Sequence, residues 1–478
     1  MTRRLAAAAV ALALGALLAP PTVSGAASGV VADVGAPVAG ATGIGDPYWP
    51  QDGNGGIDVA SYRIRDSYDF DSRRLSGRTK LRLTATQDLA SFHLDFLLPV
   101  SKVTVDGARA AHGRPSSHEL RITPKAPLAA GTAHTVTVTY AGRPGERRYA
   151  GERNWLASPR EVVTMNQPHM APWWFPANDH PSDKARFHIR VTVPTGREVV
   201  ANGQLVGKKR HGARTTWAWK AEEPMTTYLA FFAAGDFAIE KGASGGLPWL
   251  VAVSRALPPQ ERRASMSLMR RTPRVVDALE ADLGPYPFSV VGGLTTSLPV
   301  GFALENQTRP TYPAVGRHYV SLVVHELAHQ WFGDHVAVAR WRDIWLNEGA
   351  ATFMEWRWWE THGGPSAART LQDSWASFPA GDPFWDVVIG DPGPGKIFHS
   401  AVYDRGAMTM QALRHRIGDQ AFWLLLRTWL DQKGGGNATS EEFEALASQL
   451  SGQDLTSFFT AWLRTPERPA PTAANGLG

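Results

Sequence analysis

A change of residue pattern near position 245 divides the chain into two parts that must fold by different rules. Before it, short segments of alternating apolar and polar residues stand between turn signals: Lys80 to Leu83, Lys102 to Val105 ahead of Asp106-Gly107, His134 to Tyr140, Phe187 to Val193, and Thr215 to Trp219. Successive strand side chains point to opposite faces, so this alternation predicts strands with one buried face. Their density and the lack of long helical stretches predict an antiparallel β-sandwich or saddle. After it, apolar residues recur at helical spacing. Arg262 to Leu283 carries Met266, Met269, Val275, Val276 and Leu279, with Pro273 expected to kink or divide the helix. Further helices are expected at Tyr319 to Phe332, Asn347 to Trp359, Arg405 to Ile417 and Glu441 to Leu450, the last preceded by a capping box of Thr439 and Glu442. The fold class is therefore α+β in two domains, a β-rich one over residues 46–245 and a mostly helical one over 246–466.

The ends carry other signals. Arg3 and Arg4, the apolar run Leu5 to Ala19 and the small residues around Ala26 read as a signal peptide over 1–26, which predicts a secreted product. The run is too short to span a bilayer core, so no stable membrane insertion is expected. Residues 27–45, rich in Gly, Ala and Val, read as a flexible lead-in, and 467–478 as a loose tail. The chain has no cysteine, which excludes disulfides, thiolate metal sites, a cysteine nucleophile and an acylated anchor. Its net charge of +5, of which Arg3 and Arg4 supply part, and the lack of a basic stripe argue against nucleic acid as a partner.

The chemistry lies at His325-Glu326-Leu327-Ala328-His329. Residues four apart on a helix share a face, so His325 and His329 can turn both imidazoles to one metal ion. Val320, Val324, Leu327 and Trp331 gather on the opposite face, which can be buried. Glu326 stands beside the ligand face, placed to take a proton from water as general base. A catalytic zinc needs a third protein ligand. Glu348, within Trp345-Leu346-Asn347-Glu348-Gly349-Ala350, can return from a second helix; His335, six residues after His329, is the rival, with Met354 as a Met-turn. The three-histidine motif needs Gly where this chain has Phe332, with Gly333 one later, and a bulky residue suits a positive φ poorly. Glu348 is the preferred ligand.

HELAHQWFGD followed by WLNEGAA resembles the gluzincin zinc aminopeptidases of the alanyl aminopeptidase and leukotriene hydrolase family. LGPYPF (Leu283 to Phe288) and DLTSFFTAWL (Asp454 to Leu463) resemble its thermolysin-like catalytic domain, and FPANDHPSDKARF (Phe175 to Phe187) its β-rich N-terminal domain. The resemblance implies one Zn2+ held by His325, His329 and Glu348, with Glu326 as base. It matches Phe302-Ala303-Leu304-Glu305-Asn306 to the family's Gly-Ala-Met-Glu-Asn, a substrate-binding segment. On that match Ala303 and Asn306 contact substrate and Glu305 binds its free α-amine, while Phe302 and Leu304 depart from the pattern and alter the first specificity pocket. Gln167 resembles a second amine-binding position, and Tyr403, in Tyr403-Asp404-Arg405-Gly406, the family's oxyanion-stabilising phenol. Glu355, seven residues beyond Glu348 on the same helical face, either orients a ligand imidazole or is a solvated carboxylate.

The expected activity is removal of N-terminal residues from peptides with a free amine. The alternatives are a thermolysin-like endopeptidase, which needs no free amine, and a non-catalytic zinc-binding or adhesion module, against which Glu326 argues. The family's larger members continue with a helical domain over the active site; the chain stops about 75 residues after Tyr403, which implies a more open cleft.

Overall fold

A computed structural model describes residues 36–316 and 318–478. The expected signal peptide and the first part of the lead-in lie outside the described residues. The β domain is built on an eight-stranded sheet in the spatial order Gln204–His211, Arg214–Met225, Ala185–Pro194, Ile57–Asp69, Arg74–Ala85, Ala133–Gly142, Val100–Val105 and Ala108–Arg109. All neighbours are antiparallel except Ile57–Asp69 with Ala185–Pro194. Along Ile57–Asp69 the buried positions run Ile57, Val59, then Tyr62, Ile64, Asp66 and Tyr68. The switch from odd to even coincides with a register shift between Val59 and Ser61. A bulge inserts one residue, so without that change of parity the later side chains would turn their apolar set outward.

Two expectations at the ends are corrected. Val38–Ala39 pairs in parallel with Leu89–Asp95, so order begins before Asp46 and the lead-in is partly a strand. The tail is packed: Trp375 Nε1 donates to the Pro469 carbonyl, the Arg468 guanidinium lies over the Trp375 ring, and Trp462 Nε1 donates to the carbonyl of Asn475. Composition suggested a loose segment because its Pro, Ala and Gly carry little apolar surface. What fixes it is its main-chain oxygens together with the Arg468 guanidinium, contacts that sequence pattern does not reveal.

The division between domains also shifts. Phe237–Ser244 and Leu247–Ser254 form a hairpin whose second strand continues in parallel with Val291–Thr295 and then Thr311–Tyr312. The expected boundary at 245/246 falls in the turn of this hairpin. Both its strands belong to the second domain's sheet, and the change occurs near Asp236.

The helices that follow are α1 (Pro259–Met269), α2 (Thr272–Leu283), α3 (Val320–Ala328), α4 (Trp345–Thr361), α5 (Ala367–Ser377), α6 (Ser400–Ile417), α7 (Asp419–Lys433) and α8 (Ser440–Ser451). Pro273 sits in the first turn of α2, where its missing N–H costs nothing, and so divides the expected long helix in two. The capping box of Thr439 and Glu442 opens α8. Among the described residues no helix is long and apolar enough to cross a membrane. Helices α4 and α6 meet at Gly349 and Gly406: a methyl group on either would come within 2.7 Å of the other's Cα. Only glycine permits that approach, and it brings the backbones bearing Glu348 and Tyr403 together.

Candidate metal centre

Helix α3 is apolar on the face formed by Val320, Val323, Val324 and Leu327, and all four are buried. Its other face carries His325 and His329 one turn apart, with Nε2 atoms 3.1 Å from each other. Helix α4 brings Glu348 Oε2 to 3.4 Å from His325 Nε2 and 3.2 Å from His329 Nε2. Ligands about 2.0–2.1 Å from a tetrahedral centre lie about 3.3 Å apart, so the three atoms already trace one face of a zinc tetrahedron. The fourth vertex is left to the cavity.

Each imidazole is aimed by a bond at its other nitrogen. His325 Nδ1 donates to Glu355 Oε1 at 2.9 Å, and His329 Nδ1 donates to the Phe332 carbonyl at 3.0 Å. These bonds leave Nε2 of both rings for the metal. Glu355 is thus an orienting group and not a freely solvated carboxylate. His335 is not brought to the centre: its ring packs against Phe288, and its main-chain oxygen accepts from Lys184. The turns that follow α3 reach Gly333, where φ is +125°, so the positive φ falls on glycine and not on Phe332.

The electrostatics favour a cation among the three ligands. Burial works against charge on Glu348, yet the His329 and His325 imidazoles hold its carboxyl down at about 2. Burial likewise opposes protonation of His329, but Glu348 beside it raises that imidazole to about 9. The same field that draws protons here would draw a dication, which displaces them.

A cavity of about 340 Å³ opens onto the triad and is lined by Glu326, Glu305, Gln167, Ala303, Phe302, Tyr403 and Glu355 among others. Glu326 is buried with one carboxylate oxygen unpartnered, and burial pushes it up to about 8. The Tyr403 ring stacks near His325, with centroids 5.9 Å apart. Burial and the charges of Glu348, Glu305 and Glu326 raise its phenol well above the usual value, so it stays protonated and able to donate. Glu305 is also buried; Tyr228, which the sequence reading missed, donates its hydroxyl to Glu305 Oε1 at 3.0 Å. Gln330 Nε2 donates to the Glu305 carbonyl at 3.0 Å and fixes the segment from α3. Gln330 directly follows His329, the only signal that could have marked it.

Asn306 does not join the cavity. It is fully buried behind Glu305 and donates its Nδ2 to the Leu229 carbonyl, because consecutive residues of this extended segment face opposite ways. A second cavity of about 560 Å³ adjoins the first, sharing Gln167, Phe302, Ala303, Tyr403 and Asp404 and adding Leu304 and Phe398.

A β domain before a helical domain, with two histidines and a glutamate converging across α3 and α4, defines a gluzincin-class protein. Residues 59–229 match the Peptidase M1 N-terminal domain and residues 293–462 the Peptidase family M1 domain. The chain belongs to peptidase family M1. It is 24% identical over 441 residues to a leucyl aminopeptidase of Saccharolobus solfataricus, covering 86% of this chain and 54% of that protein. It is 27% identical to aminopeptidase N of Lactococcus lactis, covering 71% and 43%. The chain spans about half the length of the curated relatives it matches. A crystal structure of an M1 zinc metallopeptidase from Deinococcus radiodurans superposes with a TM-score of 0.79 at 26% identity, covering 91% of this chain and 99% of that one. A glutamate-to-alanine mutant of that protein bound to a Tyr-Ser-Ala substrate superposes equally, at 27% identity.

Proposed function

We propose that the chain is an exported zinc aminopeptidase that hydrolyses the first peptide bond of peptides with a free N-terminus. The observation that carries this reading is the carboxylate of Glu305, buried in the wall of the cavity that holds the metal triad. The single hydroxyl of Tyr228 offsets only part of the cost of burying that carboxylate, and a peptide's terminal ammonium is the cation an aminopeptidase must hold. The relatives named aminopeptidases and the Tyr-Ser-Ala complex of the Deinococcus protein support the same substrate class.

His325, His329 and Glu348 would hold one Zn2+, which when bound supplies Lewis acidity toward a carbonyl oxygen and a water. The chain's own residues do the rest. Glu305, with Gln167 beside it, holds the ammonium and so sets the first peptide bond over the triad. Glu326 takes a proton from the attacking water and returns it to the departing amine. Tyr403 donates its phenolic hydrogen to the carbonyl oxygen as that oxygen becomes negative. One such donor contributes about 2.7–4 kcal/mol in comparable oxyanion sites.

The test of the amine site is a panel of aminoacyl substrates with and without N-acetylation. Glu305→Ala is expected to lower kcat/KM for the free-amine substrate by about 10²-fold or more while leaving the poor acetylated substrate unchanged, given the 2–5 kcal/mol typical of a buried charge pair losing one partner. An unmodified chain that cleaves acetylated and free peptides alike would return the endopeptidase reading. Export rests on the basic, apolar and small-residue order of positions 1–26. The secreted protein's N-terminus, read by mass spectrometry, should lie close to Ala27; an intact Met1 on all of the protein would count against export.

A further inference from the structure

The β domain contains a second cluster with the donor geometry of a metal centre. Strands Leu89–Asp95 and Glu119–Thr123 pair antiparallel with Asp95 opposite Glu119, and His118 stands immediately before the second strand. One ligand atom from each of Asp95, His118 and Glu119 lies within 4.8 Å of the other two. His118 Nδ1 is 3.6 Å from Asp95 Oδ1 and 3.4 Å from Glu119 Oε1. These separations are close to the edges of the triad on α3 and α4.

All three side chains are buried, the most exposed at 2%. Among the described residues, both nitrogens of His118, both carboxylate oxygens of Glu119 and Oδ1 of Asp95 have no hydrogen-bond partner. Buried polar groups are ordinarily satisfied, and here one unpartnered atom from each of three residues converges on a common point, which favours an occupant there. Asp95 shows how the site is prepared. Its Oδ2 accepts from Asn54 Nδ2 at 3.0 Å and from the Asp179 main-chain N–H at 2.7 Å, which orients the carboxylate and leaves Oδ1 free. The His118 ring is fixed by stacking on Tyr149, with centroids 3.7 Å apart and planes within 5°.

Among the described residues no lysine or arginine pairs directly with these two carboxylates, whose ion-pair partner is His118. Arg114, which feels the charge of Glu119, spends its guanidinium on the carbonyls of Phe96, Leu98 and Ser117. The neighbouring His169 differs, since Asp52 and Glu152 occupy its two nitrogens. Burial, with Glu119, Asp179 and Asp52, raises the pKa of Asp95 well above its usual value, the response of a carboxylate facing like charge in an apolar setting.

We propose that the β domain binds a second metal ion, a divalent transition metal such as zinc, through Asp95 Oδ1, His118 Nδ1 and a Glu119 carboxylate oxygen. A dication over a neutral imidazole and two carboxylates leaves no net buried charge. The imidazole selects against calcium and magnesium, which take oxygen ligands. The ion ties two strands to the loop bearing Tyr149, shares no ligand with the triad on α3 and α4, and its role is structural.

The full chain is loaded with Zn2+, stripped of loose metal by gel filtration, and its metal counted by mass spectrometry. About two ions per chain are expected in the unmodified protein, about one in the double variant His118→Ala with Glu119→Gln, and about one in His325→Ala with His329→Ala. One ion in the unmodified protein overturns the proposal and leaves the cluster neutralised by protons. Zero in the His325/His329 variant, or two in the His118/Glu119 variant, overturns it as well. If the His118/Glu119 variant does not fold, the counts on the other two proteins still decide.

Discussion

Glu326→Ala is expected to lower kcat by about three orders of magnitude while the protein keeps its active-site metal, within the 10²–10⁴ range for loss of a general base. Two features separate the effects. Glu326 adjoins His325 on α3 but is not one of the three atoms that trace the tetrahedral face. One of its carboxylate oxygens is buried in the cavity wall with no hydrogen-bond partner among the described residues, open to exchange a proton with a water in the cavity. Steady-state rates on an aminoacyl substrate, paired with metal counting, check both halves. A fall below tenfold would remove Glu326 from the proton transfer, and loss of metal with the activity would make it a ligand. Glu326→Gln keeps the shape and should behave as the alanine variant does, because it is the proton acceptor that is missing.

Arg405→Ala should destabilise the fold by about 3 kcal/mol or more, because several buried carbonyls lose their donor at about 1–3 kcal/mol each. The guanidinium is fully buried, and among the described residues its partners are main-chain carbonyls and not a carboxylate. Its donors are shared among five main-chain carbonyls: Trp462 at 2.7 Å, Trp385 and Val387 at 3.0 Å, Ala461 at 3.1 Å and Thr465 at 2.6 Å. Burial lowers its pKa to about 10, so it remains charged at neutral pH. Alanine removes a costly buried charge, which offsets part of the loss, but orphans five acceptors and opens a cavity beside Trp385. Urea unfolding followed by tryptophan fluorescence measures the change. Because Arg405 lies two residues from Tyr403 on α6, kcat should also fall. An unchanged unfolding midpoint would show that water replaces the guanidinium at no cost.

The parts of the site that share a helix were legible in the sequence, and those that meet across elements were legible only where a motif bridged them. His325 and His329 follow from the helical repeat alone. Glu348 needed a second helix at the right distance, and Gly333 carrying the positive φ explains why His335 could not compete. Tyr228 comes from the β domain and reaches Glu305 through tertiary contact, with no local pattern to mark it. Helix α7 was readable and missed: Phe422, Leu425, Leu426, Trp429 and Leu430 are buried at helical spacing. The Asp95, His118 and Glu119 cluster offered no motif, because a strand pairing of distant segments assembles it.

The contact of Gly349 with Gly406 gives the two halves of the catalytic apparatus a common datum. Side chains in a packed core adjust by fractions of an ångström when a neighbour changes, but here backbone rests on backbone and no rotamer lies between. The spacing of Glu348 from Tyr403 is therefore insulated from repacking elsewhere. Walls such as Phe302 and Phe398, which lie outside that contact, can be exchanged to suit new peptide side chains without retuning the reaction. An engineer altering selectivity has those walls to work with, and these two glycines to leave alone.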